Sequence, residues 1–294
     1  MSERKAIDAT GVAVVVLLCA IWGLGHVAAK FTGQGISLVF QSGLRSLVAA
    51  ALLLAWGAWQ QIPFWQRDGT LWPGVFAGLL FGAEFIFIFA GLGMTDASRM
   101  VVFVYLAPCI TAFGLHFLIP AERLSARQWA GVLIAFGGVA AAYGDGFAGG
   151  RGTLLGDLFG VLGAIFWALT TILIRATTLA AVAPAKTLLY QLAVSAPVLF
   201  LAAWLMGEPG IIKITWPVAA AFAYQCIVVA FASFLAWFWL LRHYLAARMS
   251  VFTFLTPIFG VLAGVLLLGE PLTGTFVVAA LLVGAGLVLV ILKN

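Results

Sequence analysis

Charge is what this chain has least of. Of its 294 residues, 15 are Lys or Arg and 10 are Asp or Glu. That is 9%, against about 25% in an ordinary soluble domain. Hydrophobic residues make up 64% and the mean hydropathy is +1.16. A soluble protein of this size could not hide so much apolar surface, so lipid is the expected solvent. Cysteine is scarce too. Cys19, Cys109 and Cys226 lie in apolar runs at no metal-site spacing, and their odd number argues against a disulfide framework. The three histidines, His26, His116 and His243, are scattered. Paired acids and a Gly-rich loop with its Lys are both missing. The catalytic set of a membrane enzyme is therefore lacking, and no cofactor or metal is expected. Rings of like charge and filter-like loops are missing as well, which argues against an ion channel. The net charge of +5 gives no reason to expect a nucleic-acid partner and is better read as an orientation signal.

What is present is long apolar runs. Ten of them are each about 20 residues long, enough to cross a ~30 Å hydrocarbon layer as a helix. They span 9–30, 36–58, 71–93, 98–119, 126–144, 155–176, 184–206, 214–240, 247–268 and 272–292. The connections are short and hold the Pro, Gly and charged residues, as in "QQIPFWQRDGT", "GDGFAGGRG" and "MGEPGIIK". β-Barrel strands would alternate over ~10 residues, and these runs do not. The first run follows Arg4 and Lys5 as a secretory signal would, but its length favours a retained helix.

The chain also says the same thing twice. "RMVVFVYLAP" starts at Arg99 and "RMSVFTFLTP" at Arg248, with six of ten positions identical. "AIWGLGHVAAK" in the first run is answered by "AIFWALTTILIR" in the sixth, so Trp22 and Trp167 each precede a cation, Lys30 or Arg175, by eight residues. Pro108 and Pro257 are followed by "PAERL" and "LGEPL" with Glu122 and Glu270, and Gly138 and Gly286 lie equally far beyond. Several matches in one order indicate a duplication of five helices, residues 1–145 and 146–294. Because five is odd, the second copy enters the membrane from the opposite side, giving inverted-topology repeats. With the N-terminus in the cytoplasm, ten cations lie inside, from Arg4 and Lys5 to Arg248 and Lys293. Lys30, Arg99, Arg151 and Lys213 lie outside, and Arg45 lies in the bilayer. That balance satisfies the positive-inside rule and puts both termini in the cytoplasm.

These residues resemble the EamA-type branch of the drug/metabolite transporter superfamily. The resemblance rests on ten helices in two halves, the Trp-to-cation spacing, and the Pro and Glu after runs four and nine. Within that branch the chain is similar to the YddG-type amino-acid exporters, through "GAIFWALTTILIR" and "AEF" around Glu84. The resemblance implies a multi-pass inner-membrane protein that exports amino acids, aromatic or otherwise neutral, and related metabolites by alternating access through a central cavity. A multidrug or organic-cation antiporter coupled to protons is the alternative. The triose-phosphate branch would be expected to place several cations in its cavity, whereas only one deep cation is found here. Ten helices suffice to enclose a cavity, so a functional monomer is expected.

Deep charge marks the candidate site. Of the 25 Asp, Glu, Lys and Arg residues, Arg45 and Glu84 are the two far inside a run. Each costs about 2.5–3.5 kcal/mol at the bilayer centre. At 1.5 Å per residue both lie roughly 13 Å below the outer surface, so they are expected to share one polar network. Around them the sequence nominates Trp22, His26, Gln41, Tyr105, Trp167, Tyr190, Gln191, Tyr224 and Gln225, aromatic and amide groups suited to a solute with an apolar body and a charged head. Packing or interfacial anchoring is the plainer reading of most aromatics. Gly74, Gly78 and Gly82, with Gly156 and Gly160, and Gly260 and Gly264, form stripes for close helix approach. Pro108 and Pro257 are expected to kink their helices and to act either as hinges or as fixed bends.

Overall fold

A computed structural model of the chain describes residues 8–118, 123–145, 150–243 and 255–291. The described elements are helices: α1 Ala9–Thr32, α2 Leu38–Trp59, α3 Leu71–Leu92, α4 Ala97–Val104, α5 Ala107–Leu118, α6 Ala126–Asp145, α7 Gly150–Ala176 and α8 Pro184–Leu205. There follow α9 Trp216–Ala223, a π-helical stretch Tyr224–Ala232, α10 Ser233–His243, α11 Leu255–Leu268 and α12 Gly274–Ile291. Seven runs, counting α4 with α5 as one and α9 with the π-helical stretch and the start of α10 as another, are long and apolar enough to span a bilayer. Leu255–Leu268 and the helix from Gly274 are shorter apolar helices, and α6 runs against α12. The protein is a multi-pass integral membrane protein, and its described helices fall into ten runs in two sets of five.

Local chemistry sets the boundaries. Asp8 caps α1, its carboxylate accepting from the Gly11 amide at 2.9 Å. Pro184 opens α8 at a position where its missing N–H costs nothing. At the end of α11, Gly269 takes φ +67°. The Gly269 amide donates to Val265 and the Glu270 amide to Gly264, the double closure that a left-handed glycine permits. This turn folds Glu270 back over the helix end.

Two runs differ from the uniform helices expected of them. The fourth is broken at Tyr105–Leu106, between α4 and α5. Pro108 cannot donate to the Val104 carbonyl, and its ring crowds that turn. The Leu106 amide turns instead to Phe103, three residues back. The eighth passes through the π-helical stretch, a widened turn of the kind that gathers at functional sites. Pro257 lies in the first described turn of α11. The part of its phrase before Leu255, Arg248 included, and Glu122 lie outside the described residues.

The helix pairings carry the inversion. α1 packs on α11, and its mate pairing, α7 on α4 and α5, is present. The π-helical stretch packs on α2, and its mate is α3 on α8. α2 with α8, and α6 with α12, each pair with their own mates. Glycine sets the spacing: a Cβ on Gly78 would lie 2.5 Å from the Val194 Cβ, and Gly74 and Gly82 face Tyr190 and Val198 in the same α3–α8 seam. Gly138 lies against Ala279 and Val283 of α12, while Gly286 lies against Gly131 and Ala135 of α6. The repeated glycine thus serves both sides of one symmetric seam. The polar links also respect the inverted order. Connections 33–37, 93–96, 206–215 and 269–273 meet at one end of the bundle. Connections 60–70 and 177–183 meet at the other, the end that holds Ala9.

A central cavity closed at one end

A cavity of about 520 Å³ lies between the halves, within the range of small-molecule sites. Its apolar wall comes mainly from α3, where Phe81, Phe85 and Phe89 follow one another at four-residue spacing with ring centroids 4.7 and 5.8 Å apart. Trp22 meets Trp237 edge-on at 5.7 Å, and Tyr105 meets Trp167 edge-on at 5.5 Å. Its polar lining includes His26, Arg45, Glu84, Thr170, Thr171 and Gln191.

The cavity continues past Ile174 to Leu179, Val182 and Pro184, the connection between α7 and α8, so it points toward the end of the bundle that holds Ala9. α7 and α8 make only slight backbone contact with the eighth span, whereas the corresponding helices of the first half, α1, α2 and α3, pack on one another. The far end is tied shut. Lys30 donates to Glu270 at 3.1 Å, to Asp96 at 3.2 Å and to the Thr95 carbonyl at 2.9 Å. Glu270 also accepts from the amides of Ala97 and Ser98 at 2.7 and 2.9 Å, capping α4. Burial pushes the Glu270 carboxyl up, but those amides and the Lys30 charge outweigh it and hold the group below its ordinary value. Glu208 caps α2 in the same way, accepting from the Val39 and Phe40 amides. Ser37 and Gly210 exchange hydrogen bonds, and Ile36 and Ile211 form a β-bridge. Slightly deeper, Arg99 grips Asp157 and the Ala142 carbonyl, and Thr95 donates to the same carboxylate.

The sequence-nominated residues divide into two groups. Trp22, His26, Arg45, Glu84, Tyr105, Pro108, Trp167 and Gln191 line the cavity. Gln41, Gln225, Tyr224 and Tyr190 do not. Gln225 donates to the Gln41 and Thr32 side chains at 3.1 and 2.9 Å, and Gln41 donates to the Ala29 carbonyl. Their amides therefore join α1, α2 and the eighth span and are spent on one another. The Tyr224 hydroxyl donates to the Ile21 carbonyl. Tyr190 covers Gly74 and reaches Thr70.

Arg45 and Glu84 are not the only buried charges. Arg99, Asp157, Lys186 and Glu270 are buried too, because the ends of the bundle fold over them. Nor do Arg45 and Glu84 bond to each other. Arg45 Nε and Glu84 Oε2 are buried without a partner, and the guanidinium carbon lies 4.1 Å from the Phe85 ring centroid and 5.1 Å from that of Phe89. Phe81, Phe85, Phe89, Trp237 and the two threonines escaped the sequence reading. The four-residue phenylalanine spacing was the available signal, masked by the 24 phenylalanines of the chain.

The geometry also gives the repeated Trp-to-cation spacing a meaning. Eight residues are about 12 Å of helix, the distance from a cavity aromatic to the end of the bundle. Trp22 lines the cavity while Lys30 ties the closed end, and Trp167 lines it while Arg175 sits in the last turn of α7 at the open end.

Comparison with known proteins agrees with this arrangement. A "Probable amino-acid metabolite efflux pump" of Salmonella typhimurium is 26% identical over 281 residues, covering 93% of this chain and 92% of its own. The Escherichia coli protein of the same description is 24% identical with the same coverage. An "Uncharacterized transporter" of Archaeoglobus fulgidus is 27% identical over 96% of this chain and 98% of its own. A solved crystal structure matches 97% of this chain and 98% of its own with a TM-score of 0.65 at 16% identity, a likeness of fold alone. The model of the EamA-like transporter family matches twice, at residues 9–144 and 154–292. With both halves matched, the chain belongs to the EamA-like transporter family and is a transporter rather than an enzyme.

Proposed function

We propose that this transporter exports neutral amino acids, aromatic ones included, and related small metabolites across an inner membrane by alternating access. Its two repeats are residues 1–145 and 146–294, and both termini are cytoplasmic. The cavity carries this reading. It is large enough for one amino acid, walled by aromatic rings and furnished with a few polar groups. Its open end is the end that the cation count assigns to the cytoplasm, so the state described is inward-open and ready to load. Two efflux-pump relatives point the same way. The cavity lies within one chain, which suits a functional monomer.

A proton-coupled organic-cation antiporter is the second reading, favoured by one observation: Glu84 is an unpaired acid in an aromatic cavity. Counterflow in proteoliposomes separates the two. Amino-acid export expects labelled neutral amino acids to accumulate and a quaternary ammonium dye to stay outside; the reverse result contradicts it. Transport by Glu84→Gln with an unchanged pH profile would remove the proton role.

A further inference from the structure

Six acidic or basic side chains are buried among the described residues: Arg45, Glu84, Arg99, Asp157, Lys186 and Glu270. Four are matched, Arg99 with Asp157, Lys186 with Asp68, and Glu270 with Lys30. Only Arg45 and Glu84 are left without a hydrogen bond or ion pair, and both face the cavity. A buried charge without a partner is costly, and a fold that satisfies the other four has left these two open.

They line the same cavity without bonding to each other. The Arg45 guanidinium lies over Phe85, the residue next to Glu84. The ring steadies the cation but accepts none of its hydrogen bonds in the plane of the guanidinium. A donor set and an acceptor set therefore face one largely apolar chamber.

We infer that Arg45 and Glu84 form a clamp for a zwitterion: the guanidinium takes the carboxylate of a free α-amino acid, Glu84 takes its ammonium group, and the side chain lies against the phenylalanine wall of α3. This rests on the amino-acid export reading and makes it specific. A guanidinium presents two parallel donors to a carboxylate, and an acid beside it suits the adjacent ammonium. With both groups ionised the pair sums to zero charge, and so does the site holding a zwitterion, so loading then adds no net charge to the interior of the membrane. An organic cation would satisfy Glu84 and leave Arg45 unmatched. An organic anion would do the opposite.

The test uses the purified full chain and three probes: L-phenylalanine, its decarboxylated amine phenethylamine, and its deaminated acid hydrocinnamate. Quenching of tryptophan fluorescence reports binding, since Trp22, Trp167 and Trp237 line the cavity. The amino acid is expected to bind at least about tenfold more tightly than either analogue, since each lost charged hydrogen-bonding partner is worth about that much or more. Arg45→Gln is expected to abolish the preference over the amine, and Glu84→Gln the preference over the acid. Equal binding of either analogue to the unaltered protein overturns the clamp, as does folded Arg45→Gln or Glu84→Gln with unchanged selectivity. If the variants fail to fold, the analogue series on the unaltered chain decides alone. Failure of the export reading looks different: selective binding of L-phenylalanine with no counterflow into proteoliposomes.

Discussion

At the scale of single residues, burial and depth in the membrane are different quantities. Sequence position identified Arg45 and Glu84 because both stand far from any loop. It missed Arg99 and Lys186, which lie near helix ends and are covered by the packed ends of the bundle. Arg99 and Asp157 form a buried pair whose partners become liabilities when separated. Asp157→Asn is expected to destabilise the protein by about 3–5 kcal/mol, read as a lowered unfolding midpoint of the purified protein. An unchanged midpoint would show the pair to be unimportant. Asp68, in the connection between α2 and α3, accepts from Lys186 and Thr70, which hold its carboxyl down at about 2 from an ordinary 3.8. A carboxylate held low stabilises the fold fully above its ordinary value and loses that contribution as pH falls toward 2. Asp68→Asn is therefore expected to flatten the acid limb of the stability profile between about pH 4 and 2. An identical limb in both proteins would exclude this contact from acid stability. The amides Gln41 and Gln225 were legible as polar groups within apolar helices. That they would find each other rather than the cavity depends on which faces of α2 and the eighth span meet, and sequence spacing does not fix that.

At the scale of helices, apolar length and Gly/Pro punctuation located nearly every span, and the repeat gave their order and inversion. Interruptions inside spans were harder to see. Pro108 announced a bend, but the break falls at Tyr105–Leu106, one turn earlier, where the lost hydrogen bond and the ring act. The π-helical stretch Tyr224–Ala232 carries no Pro or Gly to announce it. We propose that the α4–α5 break is a hinge, since Pro108 and Tyr105 both line the cavity. Restoring the missing donor with Pro108→Ala is expected to slow counterflow while leaving the protein folded. Full transport by a stable Pro108→Ala protein would leave the break a fixed bend. The α3–α8 seam makes a separate demand. Gly78→Leu would drive a side chain into Val194 and the Tyr190 backbone, and it is expected to lower the unfolding midpoint far more than the same change at Gly137, which has open space around it.

At the scale of the whole molecule, the two ends of the bundle are unequal. Carboxylates from the second half, Glu208 and Glu270, cap helices of the first half at the closed end, so the halves are joined there by charge as well as by packing. Opening that end must separate Lys30 from Glu270. Glu270→Gln weakens the tie and uncaps α4. Spin labels at Gln34 and Ile212, on the two connections that meet there, are expected to show a larger population of long distances in this variant. An unaltered distance distribution would mean that the tie does not hold the end closed. The symmetry was legible in sequence, whereas the asymmetry was not, because both ends are written with nearly the same residues and only packing shows which is shut.

Cysteine accessibility at Thr171 tests the central arrangement directly, because that residue lines the cavity and the three native cysteines are buried. In oriented vesicles, Thr171→Cys should react with a membrane-impermeant thiol reagent applied to the cytoplasmic face, and a neutral amino acid such as L-phenylalanine should slow that reaction. Labelling from the opposite face alone, or labelling that no amino acid slows, would contradict a substrate cavity open to the cytoplasm.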